Sequence, residues 1–178
     1  MHLIAGAARV IVGDDRQVKI RKTTERDIPE VCRIYAQARD FMRESGNPDQ
    51  WGNEDPTRDV IESDVRKAGS YVCVREGAIS AVFYFNIERE PAYEKIDGRW
   101  LNDKPYGVVH RIARIREAHG AGAFCLNWCF DQHSNIRIDT HRDNAPMRKL
   151  LDRLGFSYCG IIWLASGKER IAFQKILL

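Results

Sequence analysis

The sequence predicts a single domain of the α/β (α+β) class, with a mixed central sheet of about seven strands flanked by about four helices. Three observations predict it. The chain has 178 residues, 44% hydrophobic and 30% charged, an ordinary globular balance that excludes disorder, collagen-like repeats and coiled coil. Strand and helix periodicities follow the order β α α β β β α β α β β, and helices that alternate with strands in the second half call for parallel strands. There is no internal repeat, and no apolar run reaches the roughly 18 residues of a membrane span. A chain of this size buries roughly 70% of its unfolded surface and needs neither disulfide nor metal to hold together.

Residues 1–17 read as an N-terminal extension and 18–178 as the domain. The opening M-H-L-I-A-G-A-A-R-V-I-V-G resembles a weak signal peptide. It lacks a basic leading region, and Arg9 interrupts it, so a cytoplasmic protein is expected. Val18 to Arg21 alternates as a short strand. Asp27 followed by Glu30 is a capping-box pattern, and Pro29 suits a first helical turn. Ile28, Val31, Tyr35, Ala38 and Met42 then form one helical stripe ending near Ser45-Gly46. Gly46 to Pro56 is dense in turn residues and reads as a loop. A second helix fits Pro56 to Ala68. Tyr71 to Val74 and Ile79 to Phe85 are strands joined by R-E-G-A. Glu88 to Lys104 is polar and reads as a long functional or connecting loop. Tyr106 to Ala113 is a strand, His119 to Phe130 a helix, Asn135 to Thr140 a strand, Ala145 to Leu154 a helix, and Phe156 to Leu164 and Arg170 to Lys175 the last strands.

The charge balance is 28 basic against 25 acidic residues, a net +3. That is compatible with an anionic ligand but too small to argue for nucleic acid. Five cysteines, with no C-x-x-C, point to buried free thiols rather than a disulfide framework or zinc knuckle.

The chemistry concentrates between Val108 and Phe130. An apolar strand runs into Gly120 and Gly122 and straight into a helix. Such glycines let backbone N–H groups converge, and the helix N-terminus adds unpaired donors, so an anion such as a pyrophosphate is a natural guest. The third glycine of a dinucleotide fingerprint is replaced by Cys125, and no G-K-[ST] follows, so neither a dinucleotide site nor a P-loop is indicated.

About twelve residues later comes N-I-R-I-D-T-H-R-D-N-A-P-M-R-K-L-L-D-R-L-G-F-S-Y-C-G. A strand, Asn144, a short amphipathic helix, L-G-F and a strand, placed after the glycine loop, resemble the GNAT family of acetyl-CoA-dependent N-acetyltransferases. That family carries Q/R-x-x-G-x-G/A and then N-x-x-A-x-x-L-Y-x-x-x-G-F. The resemblance covers about Val18 to Lys175. The segments W-L-N-D-K-P-Y-G-V-V-H-R-I-A and G-N-P-D-Q-W look like a bacterial subgroup with uncharacterised substrates.

The resemblance implies a GNAT-like acyl-CoA N-acyltransferase domain, with acetyl-CoA as co-substrate, no metal, and an amine acceptor that attacks directly in a ternary complex. It implies coenzyme contacts at His119, Gly120, Ala121, Gly122, Ala123, Phe124 and Asn144, and an oxyanion-stabilising backbone N–H among Ile112, Ala113 and Arg114. His119 and Phe124 depart from the motif. The family's proton-donating tyrosine falls at Leu151, which cannot donate, and Tyr158 is the nearest tyrosine to that position. Loss of the acid leaves an alternative function, a non-catalytic acyl-CoA-binding sensor. Partners are limited to acetyl-CoA and an amine, with no nucleic acid and no membrane, in a monomer or homodimer.

For the base, His110 stands on the strand that leads to the glycine loop, and histidine exchanges protons near neutral pH. The other reading is a histidine satisfied against the sheet. Asp139 and His141 share a strand face and read as a base pair, a metal fragment or, ahead of these, a solvated strand end, with no third metal ligand in sequence. Trp51, Trp100 and Tyr106, on or beside loops, read either as acceptor-pocket residues or as packing anchors. The acids Glu88, Glu90, Glu94 and Asp97 near Tyr93 read as attractors for a cationic amine or as a solvated loop.

Overall fold

The computed structural model describes residues 18–178; the expected extension over 1–17 lies outside the described residues. Val18–Lys22 (β1) is followed by the helices Ile28–Glu44 (α1) and Arg58–Arg66 (α2). A single 3₁₀ turn, Glu25–Asp27, precedes α1. The capping interaction therefore falls three residues earlier than the Asp27–Glu30 spacing predicts. Thr24 donates its N–H and its hydroxyl to the Asp27 carboxylate, each at 2.8 Å, while Glu30 pairs with Arg33. The Thr57 hydroxyl caps α2 by accepting from the Val60 N–H, so that helix starts after Pro56 rather than at it.

Ser70–Arg75 (β2) and Ala78–Ile87 (β3) form a hairpin. The segment read as a loop from Glu88 to Lys104 contains a 3₁₀ turn, Pro91–Tyr93, and a short strand, Ile96–Gly98 (β4). Three residues are too few for alternation to show. Gly107–Arg114 (β5), Ala121–Gln132 (α3), Asn135–Thr140 (β6), Ala145–Arg153 (α4), Ser157–Trp163 (β7) and Glu169–Ile176 (β8) complete the fold. The sheet has eight strands in the order β1-β2-β3-β5-β6-β8-β7-β4, one more than the sequence predicts, because β4 pairs with β7 at the edge.

The functional consequence lies at the middle of the sheet. β5 and β6 run parallel but pair only over Gly107–Val109 and Ile136–Ile138. From His110 onward the two strands have no register with each other, while β5 continues along β3 to Arg114. A parallel pair that separates in mid-sheet leaves a row of backbone donors and acceptors open to a ligand.

The helices hold this opening from both faces. Ile28, Val31, Ile34, Tyr35 and Ala38 of α1 pack with Ile61 of α2 against Val72, Val82 and Ala113. Cys125, Leu126 and Cys129 of α3 and Leu151 of α4 pack with Phe83, Val109, Ile136 and Phe173 in a second core. Tyr93, Val108, Ile162 and Ala172 form a third under the 88–106 segment. The five cysteines are free, with all but Cys32 buried. No helix among the described residues is long and apolar enough to cross a membrane.

Candidate functional site

Where β5 and β6 part, a cleft of about 880 Å³ opens. It is lined by the C-terminal half of α1, the end of β5, the start of α3 and one side of α4. Of the residues that the sequence marks for coenzyme binding, Ile112, Ala113, Arg114, His119, Gly120, Gly122, Ala123 and Asn144 all line it. Ala121 and Phe124 do not: Ala121 is buried at the helix start, and Phe124 packs against the core under α3.

Gly120 is the N-cap of α3 and takes φ +81°, a left-handed conformation that costs a residue with a Cβ roughly 1–2 kcal/mol. Gly122 is a tight position for a different reason, since a Cβ there would stand 3.0 Å from Leu150 Cδ2 of α4, which would have to give way. Of the first-turn N–H groups, Ala121 donates to the Ala118 carbonyl and Phe124 to that of Gly120. Those of Gly122 and Ala123 are left without backbone acceptors and lie in the cleft wall. A helix start with two open donors and no side chain between them accepts a phosphate or pyrophosphate oxygen.

Across the cleft, Asn144 caps α4 by accepting from the Met147 N–H at 3.1 Å. Its amide donates to Gln50 Oε1 at 2.9 Å, which also accepts from Asn47. The turn-rich segment after α1 is thereby tied to the β6–α4 junction. Sequence reading of the loop does not find this, because the partners stand 94 residues apart.

His110 is the first β5 residue past the last β6 pair. Its Nε2 lies 2.9 Å from Glu90 Oε2, and its Nδ1 lies 3.7 Å from Asp139 Oδ2. The hydrogen bond from His110, offset in part by burial, holds the Glu90 carboxyl below its ordinary range. An ionised Glu90 only accepts, so Nε2 carries the hydrogen that it donates, and in the neutral imidazole Nδ1 is then the acceptor. Asp139 accepts from the Tyr93 hydroxyl at 2.8 Å and lies 4.0 Å from Arg170 Nε. With its side chain 9% exposed, it is not the solvated strand end that the sequence suggests. Covered by the 88–106 segment, it faces His110 instead. His141 is not part of this group; its Nδ1 accepts from the Asp143 N–H.

The three aromatic candidates all make packing contacts, Tyr106 and Trp100 beside this group and Trp51 against α1. Tyr106 accepts from the Glu90 N–H at 3.1 Å and so helps seat that carboxylate. Trp100 donates to the Tyr93 carbonyl at 3.0 Å, and its ring and that of Tyr106 sandwich the Arg137 guanidinium at 4.2 and 4.0 Å. Trp51 sits edge-on to Tyr35, ring centres 5.5 Å apart. Like His110, none of the three lines the cleft, but Trp100 and Tyr106 line a second pocket of about 560 Å³ with Tyr93, Glu94 and Arg137.

Tyr158 is not brought to the site. It is 59% exposed on β7, with its ring against Phe173 of β8, and β8 stands between β7 and β6. Leu151, where the family tyrosine would fall, is 0% exposed in the core under α4. Its neighbours Met147 and Leu150 line the cleft instead. No group of three or more metal-ligating side chains occurs among the described residues.

No family profile matches the chain. No curated protein matches it either. Solved structures do. An acetyltransferase of the GNAT family from Streptococcus agalactiae 2603 is 30% identical, with a TM-score of 0.81 over 90% of this chain and 96% of that one. A GNAT-family acetyltransferase from Listeria monocytogenes 4b F2365 is 19% identical, with a TM-score of 0.67 over 95% and 100%. A ribosomal-protein-alanine N-acetyltransferase from Brucella melitensis is 18% identical, with a TM-score of 0.58 over 89% and 99%. The last two similarities show the fold alone.

Proposed function

Because the chain belongs to the GNAT family of acetyltransferases, we propose that it moves an acetyl group from acetyl-CoA to a primary amine by direct attack in a ternary complex. The observation that carries this reading is the junction of two features in one cleft. The open N–H groups of Gly122 and Ala123 stand at one end, and Ile112 to Arg114 of β5, past its last pair with β6, form the wall beside them.

Acetyl-CoA supplies the activated thioester. Its phosphates suit the start of α3, where the missing side chains of Gly120 and Gly122 leave room for them, and its extended arm suits the gap between β5 and β6. An amine must lose a proton to react, since a lysine-like amine has a pKa near ~10.4. His110 Nδ1 is the proton acceptor in this reading, with Glu90 holding the opposite nitrogen and Asp139 facing the imidazolium that results. The ammonium first gives up one proton through His110 to solvent; the neutral amine then adds to the carbonyl, forming the N–C bond, and as the C–S bond breaks the electron pair leaves on sulfur and the second proton passes from the nitrogen to His110. A thiol of pKa near ~8.5 is a tolerable leaving group without a protein acid, which accommodates the buried Leu151 and the distant Tyr158. The Ile112 N–H, on the stretch of β5 that β6 does not pair, is the donor to the carbonyl oxygen as it gains negative charge.

The deciding experiment is thiol release from acetyl-CoA with a panel of small amines and peptides. Amine-dependent release supports the transferase. Saturable binding of acetyl-CoA with no release to any amine supports the sensor reading instead.

A further inference from the structure

Arg111 departs from the strand around it. Its φ is +52°, left-handed for a residue with a Cβ, a conformation that persists only when the surroundings impose it and that concentrates at functional sites. The pairing of β3 with β5 runs Val82–Ala113 and then Tyr84–His110. Arg111 and Ile112 thus stand opposite Phe83 alone, which is a β-bulge.

Three contacts from outside β5 hold Arg111 there. Asp64 of α2 accepts from its Nε and from an Nη, both at 2.8 Å. The Tyr84 ring lies 5.1 Å from the guanidinium carbon. Tyr35 of α1 donates its hydroxyl hydrogen to the Arg111 carbonyl at 2.8 Å. Tyr35 is 3% exposed and Asp64 6%. A side chain that only filled the core at position 35 would need no hydroxyl, and burying one without a partner is unfavourable.

The peptide that follows Arg111 is trans, so its C=O and N–H point to opposite sides. A hydroxyl that fixes the Arg111 carbonyl also fixes the Ile112 N–H, turned away from α1. Ile112 lines the cleft, beyond the last residue of β5 that pairs with β6. We propose that Tyr35, with the Asp64–Arg111 pair holding the bulge, is a positioning residue for acetyl transfer: its hydroxyl locks the Arg111–Ile112 peptide so that the Ile112 N–H is aimed at the thioester oxygen. The inference rests on the acetyl-CoA reading of the cleft. Tyr35 itself touches no substrate. Its effect is to remove the reorientation that a loose donor would need as charge develops.

Tyr35→Phe keeps the ring and its packing on Trp51 and removes only the hydroxyl. Two quantities are measured: kcat and KM for acetyl-CoA at a fixed amine concentration, and the infrared carbonyl band of bound acetyl-CoA carrying ¹³C at the acetyl carbonyl. The expected result is a fall in kcat of roughly 10- to 10²-fold, a KM changed by less than about twofold, and a band shifted to higher wavenumber than in the wild type. Asp64→Asn, which loosens the bulge without touching Tyr35, is expected to move kcat and the band in the same direction by less. If the Tyr35→Phe band matches that of the wild type, the clamp is overturned, whether or not kcat falls. A wild type that gives no bound carbonyl band overturns the acetyl-CoA reading beneath it.

Discussion

The Glu90 carboxylate meets His110 Nε2 at 2.9 Å, joining a loop residue to a strand residue 20 positions later. The contact makes Nε2 the donor and turns Nδ1 toward Asp139, at the point where β5 leaves β6. His110→Ala should lower the acetyl-transfer rate by about 10²- to 10⁴-fold. Acetyl-CoA affinity should barely change, because the contacts assigned to it are largely backbone. Glu90→Gln keeps the shape and loses the charge, and a fall of roughly 10-fold is expected from a charge-assisted hydrogen bond. Single-turnover rates and calorimetric affinities separate the two effects. An unchanged rate in His110→Ala would leave the histidine a structural role.

The glycine turn makes a second prediction, with different physics at its two positions. At roughly 100-fold saturation, acetyl-CoA should stabilise the wild type by roughly 2–3 kcal/mol. Gly122→Val places methyls against Leu150 and in front of the open N–H groups, so that stabilisation should vanish. Gly120→Val meets open space but forces a branched residue to φ +81°. It should lower the stability of the free protein by about 1–2 kcal/mol and also lose the ligand response. Thermal melts with and without acetyl-CoA read both. Full ligand stabilisation in Gly122→Val would mean that the phosphates bind elsewhere.

Which parts were legible in the sequence follows from the range of each interaction. The helix stripe from Ile28 to Met42 and the turn at Gly120 are written within a few residues, and the architecture follows from them. The glycine loop and Asn144 are likewise local motifs. β4 was hidden because a three-residue edge strand has no period. Glu90, Tyr93 and Asp139 could be named as residues but not as partners of His110, because they meet only after a loop folds over the β5–β6 junction. Tyr35 carries no mark beyond its place in an apolar stripe. Its hydroxyl matters through a carbonyl 76 residues away, and no spacing rule reaches that far.

Leu151 gives a third prediction, in which packing reverses what the motif suggests. A tyrosine restored there would be expected to supply the acid and speed transfer. The position is instead enclosed by α3 and the sheet with no exposure, and it does not face the cleft. Leu151→Tyr should therefore destabilise the fold by about 1–3 kcal/mol through overpacking and bring no gain in rate. Urea denaturation and a single-turnover assay are enough to check it. A faster enzyme of wild-type stability would show that the helix turns this position toward the cleft.

Asp27 ties β1 to α1, and its pH dependence can be worked out in sign. Arg21 donates to both carboxylate oxygens, at 2.6 and 2.9 Å, and Thr24 adds its N–H. The Arg21 hydrogen bonds, partly opposed by burial, lower the carboxyl from 3.8 to about 2. A carboxyl depressed in the folded state stabilises the protein above its unfolded value, and that stability is lost as pH falls through the folded value. Arg21 is 39% exposed, so solvent screening reduces the contribution to roughly 1 kcal/mol. Asp27→Asn should therefore be less stable than the wild type by about that amount at pH 7. The gap should be constant down to about pH 5 and close between about pH 4 and pH 2, the interval bounded by the unfolded and folded values. Urea midpoints for both proteins across this range make the measurement. A gap that stayed open at pH 2, or one that closed between pH 7 and pH 5, would mean that a group other than Asp27 carries the dependence.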